Sequence, residues 1–126
     1  MTNRKSINLD GFSHTNPIPT ACRVGNIVMS GSIFPRDASG KPPETLDEQC
    51  TLMFKNVVEV MQKAGGSMDD IIKMSVFLKD ASNRDVLNKH WTALFPDPAS
   101  RPARHTEGKD LAHGVLIQCE VIGVIS

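Results

Sequence analysis

Apolar residues recur at helical spacing twice along this chain and alternate at strand spacing in between. Leu46, Cys50, Met53, Phe54, Val57, Met61 and Ala64 fall three and four residues apart, the mark of a helix with one buried face. Thr45 with Glu48 three residues on supplies an N-terminal capping pattern, and Gly65-Gly66 a left-handed stop. A second helix carries Val86, Leu87, Trp91, Leu94 and Phe95, is expected to open at Ser82 with Asp85, and ends at Pro96.

Strands are expected at Ala21–Val24 and Ile27–Ile33, joined by a Gly25-Asn26 turn. Pro35, Asp37, Ser39-Gly40 and Pro42-Pro43 make the next stretch a loop. Ile71–Leu78 is β-branched and only loosely alternating, as in a strand buried on much of both faces. Ala103–Glu107 reads as a short strand and Val115–Ile125 as a long one. In the latter Val115, Ile117, Cys119, Val121 and Ile125 share one face. Its other face, Leu116, Gln118, Glu120, Ile122 and Val124, is too apolar to be freely solvated and too polar to be plain core.

The order β-β-α-β-α-β-β predicts one α+β domain over residues 1–126, with both helices on one side of the sheet. The opposite sheet face is left uncovered, which predicts a homo-oligomer whose subunits close their sheets together.

Composition narrows the chemistry. Fourteen basic side chains balance fourteen acidic ones in 126 residues and the pI is near 6.9, so no global field draws nucleic acid or an anionic membrane. Cys22, Cys50 and Cys119 are widely spaced and form no zinc pattern, and are expected to be reduced, mostly buried thiols. The first twenty residues include Arg4, Lys5, Asn8, Asp10 and Asn16 without a continuous apolar stretch, and nowhere do eighteen apolar residues run together. A cytoplasmic protein without metal, cofactor, membrane or nucleic-acid partner is expected.

The local anion site to expect is Arg104. It follows Arg101-Pro102-Ala103, where a proline-stiffened turn enters a strand. A guanidinium fixed there can grip a planar anion through two parallel hydrogen bonds. A small carboxylate is the first ligand this implies.

Val24-Gly25-Asn26, Ser30-Gly31, Gln49, Asn56, Ala64-Gly65-Gly66, Val76-Phe77-Leu78-Lys79-Asp80, Asn88 and Pro102-Ala103-Arg104 together resemble the Rid (YjgF-type) family of reactive-intermediate deaminases. The match spans about 110 residues in order, and it is the ordered set rather than any single motif that is specific. The resemblance implies a chorismate-mutase-like fold and a homotrimer with clefts between subunits. It also implies hydrolysis of small enamines or imines, such as 2-aminoacrylate and its imine tautomer, to a 2-keto acid and ammonia without metal or cofactor. By the same resemblance Arg104 binds the substrate carboxylate, Ser30 and Gly31 line the cleft, Asn88 lies near it, and the Thr106 backbone N–H helps hold the ligand.

Three positions depart from the family pattern. Pro17-Ile18-Pro19 stands where deaminating members commonly have Gly-Pro-Tyr, so Ile18 shapes the cleft in place of a tyrosine, a residue the chain lacks altogether. Ile117-Gln118-Cys119-Glu120 stands where the family has Val-Glu-Ile-Glu, and Thr106 replaces a cysteine. Gln118 can hydrogen-bond but cannot take up a proton as a carboxylate does. Catalytic work is therefore expected from Arg104, Gln118 and Glu120, with His105 as a further proton-carrying candidate. Each has a purely structural counterpart: Arg104 in an ion pair, Ser30 satisfying a buried neighbour, Gln118 serving buried backbone, Asn88 as a helix-surface amide, Glu120 as a solvated strand carboxylate. Two functions remain open, a deaminase or a non-catalytic trimer that binds small carboxylates as a sensor or chaperone-like partner.

Overall fold

The computed structural model describes residues 3–10 and 16–126. In chain order it contains β1 (Lys5–Ile7), β2 (Ala21–Val24), β3 (Ile27–Ser30), α1 (Leu46–Lys63), a 3-10 turn (Met68–Asp70), β4 (Ile71–Leu78), α2 (Arg84–Leu94), β5 (Ala103–Gly108) and β6 (Ile117–Val124). The strands form one mixed sheet in the order β1-β2-β3-β6-β4-β5. Only β4 and β5 run parallel, and α2 makes the crossover that a parallel pair requires. The expected α+β architecture is present, and β1 is an addition: three residues are too few to display a period.

Both helices cover one sheet face. Cys50, Met53, Phe54, Val57, Val60 and Met61 of α1 and Leu87 and Trp91 of α2 close over Val28, Met74, Val76, Leu78, Ile117, Cys119 and Val121. Gly123 permits a close approach, because a Cβ there would lie 2.9 Å from Met61 Cε and 3.2 Å from the Asp70 carbonyl. At the start of α1 the Thr45 hydroxyl accepts from the Glu48 N–H at 3.2 Å and donates to Glu48 Oε1 at 2.8 Å. At its end the Gly66 N–H reaches the Met61 carbonyl and the Gly65 N–H that of Gln62, with Gly65 at φ +92°. That is a Schellman stop, and only glycine enters it without strain.

Four boundaries differ from the sequence expectation for a local reason, and β5 runs one residue further than expected, to Gly108. No Ser82-Asp85 box opens α2. Asp80 Oδ1 takes both the Ser82 hydroxyl at 2.6 Å and the Ser82 N–H at 3.0 Å, and Asn83 becomes the N-cap without a side-chain bond. An aspartate two residues upstream competes successfully for the serine. β3 ends at Ser30 rather than Ile33, because the Val121 N–H of β6 is taken by the Ser30 hydroxyl at 2.9 Å, and only Ile33 rejoins β6, opposite Cys119. β6 begins at Ile117 rather than Val115, since the Leu116 N–H is taken by Gln49 Oε1 at 2.8 Å. It ends at Val124, where the Ile125 N–H closes the ladder with β3 on the Asn26 carbonyl.

Two buried amides fix the loops around the sheet. Gln49 donates to the Pro43 and Gly114 carbonyls at 2.7 and 2.8 Å while accepting from Leu116, and Asn56 donates to the Phe34 and Arg36 carbonyls at 2.8 and 2.9 Å. The sheet face away from the helices is open. It presents Val24, Ile27, Met29 and Val124, which are 47%, 53%, 50% and 41% exposed, an apolar stripe a solitary domain would not favour.

Candidate active site

Arg104 lies on β5 opposite Met74 of β4, so it projects to the helix side of the sheet at its edge. There α2 receives it: the guanidinium carbon stands 5.0 Å from the Trp91 ring centroid, and Nη2 donates to Asn88 Oδ1 at 2.8 Å. Nη1 is buried with no hydrogen-bond partner among the described residues. The structural alternative for Arg104, an internal ion pair, does not occur among them either. Burial first, and the field of Arg84 second, push its pKa below the ordinary arginine value. An arginine does not lose its proton for that. The guanidinium stays charged, partly desolvated and beside a like charge.

Thr106, two residues on, shares the strand side of Arg104, and its carbonyl lies 3.4 Å from Arg84 Nη2. Asn88, Trp91, Thr106 and Arg84 thus gather around Arg104. The helical spacing of Trp91 reads as core, and Arg84 is not among the site residues expected from sequence. Positions 84, 88 and 91 do follow the three-and-four spacing of one helix face, which is the signal that could have grouped them.

The other expected residues lie apart from this cluster. The Ser30 hydroxyl accepts from the Val121 N–H at 2.9 Å, the buried-neighbour role foreseen as its alternative. Beside it are Gly31, Thr20 and, two residues before Thr20, the exposed Ile18. Gln118, only 9% exposed, points its amide towards Ser32 Oγ at 3.5 Å, too long to count as a firm bond. Glu120 is exposed and pairs across the open face with Ser75 of β4, which in turn pairs with His105 of β5. His105 stands 3.8 Å from Glu107, both exposed.

Strand alternation sets Arg104 and the pair Gln118 and Glu120 on different sides of the sheet, with Ser30, in line with Val28 and opposite Ala21, on the helix side. Cys119 packs into the core, so Gln118 and Glu120 face away from the helices, whereas Arg104 faces α2. Two strand spacings, roughly 10 Å, also separate β6 from β5. No ligand held by Arg104 on the helix side can meet Glu120 of the same protomer. Chemically, the Arg104 cluster can fix a planar anion, and Gln118 and Glu120 offer an amide and a solvent-facing carboxylate. No cluster able to hold a metal ion occurs among the described residues.

The family model described as Endoribonuclease L-PSP matches residues 13–125. The chain belongs to this family, the Rid (YjgF-type) proteins. A 2-iminobutanoate/2-iminopropanoate deaminase of Escherichia coli K12 is 33% identical to it over 104 residues, 80% of this chain and 81% of the relative. A RutC family protein of Aquifex aeolicus is 31% identical over 101 residues, 79% and 81% of the two chains. Among solved Rid structures, RidA from an Antarctic Psychrobacter superposes with a TM-score of 0.87 at 28% identity, covering 96% of this chain and 99% of that one. No helix among the described residues is long and apolar enough to cross a membrane.

Proposed function

We propose that this Rid protein hydrolyses small carboxylate-bearing imines and their enamine tautomers to 2-keto acids and ammonia, without metal or cofactor, as a homotrimer with its sites between subunits. The observation that carries this reading is the Arg104 guanidinium, held by Trp91 and Asn88 with Nη1 unspent. Buried donors in native proteins have partners, and a carboxylate is the partner that a guanidinium fork suits. The name of the Escherichia coli relative supplies the reaction class.

In this mechanism Arg104 fixes the α-carboxylate and so places the C=N carbon. Water adds to that carbon, and the nitrogen leaves as ammonia once it has been protonated. The imine nitrogen is itself basic, so the protein's task is to orient water and relay one proton. Glu120 can do both, and it retains the second glutamate of the Val-Glu-Ile-Glu pattern, while Gln118 contributes hydrogen bonds only. Ser30 and Gly31, at the end of β3, and Ile18 line the cleft. Because the sheet separates Glu120 from Arg104 within one chain, the cleft takes Arg104, Asn88 and Thr106 from one subunit and Gln118 and Glu120 from the next. Three free cysteines suit a reducing compartment such as the cytoplasm.

The test is ammonia release from freshly generated 2-iminopropanoate, expected to outpace buffer and to be lost in Arg104→Ala. Equal rates with and without protein would overturn catalysis. Gln118 and the missing tyrosine favour one second reading, a carboxylate-binding trimer without turnover. In that case 2-oxobutanoate raises the melting temperature while no imine is consumed. The family description names an endoribonuclease, but a chain with equal basic and acidic counts lacks the usual electrostatic footprint for RNA.

A further inference from the structure

Arg84 and Arg104 share one corner of the fold with no carboxylate between them. Arg84 opens α2, where its Nε is tied to the Ala81 carbonyl at 3.0 Å and its Nη2 reaches across to the Thr106 carbonyl of β5 at 3.4 Å. Arg104 leaves β5 two residues earlier and meets α2 one turn further on, at Asn88. The two charges are close enough that Arg84 depresses the pKa of Arg104. Neither takes part in an ion pair among the described residues, although Asp80 and Asp85 lie on the same stretch of chain. Two like charges set against one another, one of them partly desolvated with an unpartnered nitrogen, are a standing cost that a bridging dianion removes.

We infer that Arg84 is a specificity residue that selects substrates with a second, distal carboxylate, so that this protein prefers imines of 2-oxo dicarboxylic acids to those of monocarboxylic ones. The inference rests on the carboxylate-binding role proposed for Arg104. Along β5 the side-chain positions of Arg104 and Thr106 are roughly 7 Å apart at about 3.3 Å per residue, and the tip of Arg84 lies at the Thr106 end. A five-carbon acid bound by its α-carboxylate to Arg104 can extend along the strand and bring its terminal carboxylate to Arg84. A five-carbon monocarboxylic acid would lay an apolar chain end against the same guanidinium and gain nothing from it. Arg84 is exposed, so its contribution is screened by salt, unlike that of Arg104.

The test compares 2-oxoglutarate with 2-oxopentanoate, which differ only in the terminal carboxylate, by calorimetry and by the emission of Trp91, the single tryptophan of the chain. The wild-type protein is expected to bind the dicarboxylate about tenfold more tightly, and the ratio to shrink in about 0.5 M salt. Arg84→Gln should bring the ratio close to one, and Arg84→Lys should retain most of it. A wild-type ratio of one, with both acids bound, overturns the role of Arg84 and leaves that of Arg104 standing. A ratio that survives Arg84→Gln does the same. Failure of both acids to bind overturns both roles. None of these outcomes depends on turnover, so the deaminase reading is tested separately.

Discussion

Gln118 and Glu120 sit two residues apart on the same side of β6, one an amide and nearly buried, the other a carboxylate in solvent. Only the second can exchange a proton, so the two substitutions should separate. Glu120→Gln is expected to lower kcat by about a hundredfold or more with little change in KM, and to flatten the pH profile of ammonia release. Gln118→Ala should act mainly on KM. Arg104→Lys should weaken keto-acid binding by roughly tenfold, because an ammonium cannot reproduce a bidentate fork or the guanidinium contact with the Trp91 ring. Arg104 could be read from sequence because proline-stiffened turns and guanidiniums leave a short-range signature. Trp91 and Arg84 could not be read in the same way. A tryptophan at helical spacing looks like core, which Trp91 also is, and its second role depends on a strand that arrives twelve residues later.

Between elements, the buried amide of Gln49 joins the loop before α1 to the turn before β6, with all three of its hydrogen bonds made to backbone. Gln49→Leu removes the amide and leaves three backbone groups without partners. It is expected to lower unfolding stability by about 3 kcal/mol in urea, with the denaturant slope unchanged. Asp47 links the helices, meeting Lys89 and, at 2.8 Å, His90 of α2. The Lys89 bond first and the His90 bond second hold its pKa below the usual carboxylate value, and local serine hydrogen bonds do the same for Asp37, Asp70 and Asp80. A carboxylate with a lowered folded pKa stabilises above its unfolded value, near 4, and that stabilisation is lost as pH falls through the folded value. Melting temperatures should therefore hold steady down to about pH 5 and fall below about pH 4. Asp47→Asn should lower the plateau and soften the acid limb. The helices and long strands were legible because their periods run over many residues. The start of α2 and the end of β3 were not, because each is decided by which of several nearby polar groups captures a particular N–H, and residue type alone does not rank them.

For the molecule as a whole, the uncovered sheet face and the divided site point the same way. The stripe of Val24, Ile27, Met29 and Val124 needs cover, and Glu120 of one chain needs Arg104 of another if both are to serve one substrate. Placing a charge in the stripe, as in Ile27→Glu, is expected to give monomers by light scattering and to abolish ammonia release while each chain stays folded. A sharper experiment uses two inactive proteins. On the proposed mechanism Arg104→Ala lacks the carboxylate grip and Glu120→Gln the proton relay, and neither should turn over alone. Unfolded together in equal amounts and refolded into mixed trimers, they regenerate an intact cleft wherever a Glu120→Gln subunit supplies Arg104 and its neighbour, an Arg104→Ala subunit, supplies Glu120. Random assortment makes that roughly one cleft in four, so about a quarter of wild-type activity should return. Were both residues to act within a single chain, mixing would restore none, and the arrangement of the site between subunits would fall with it.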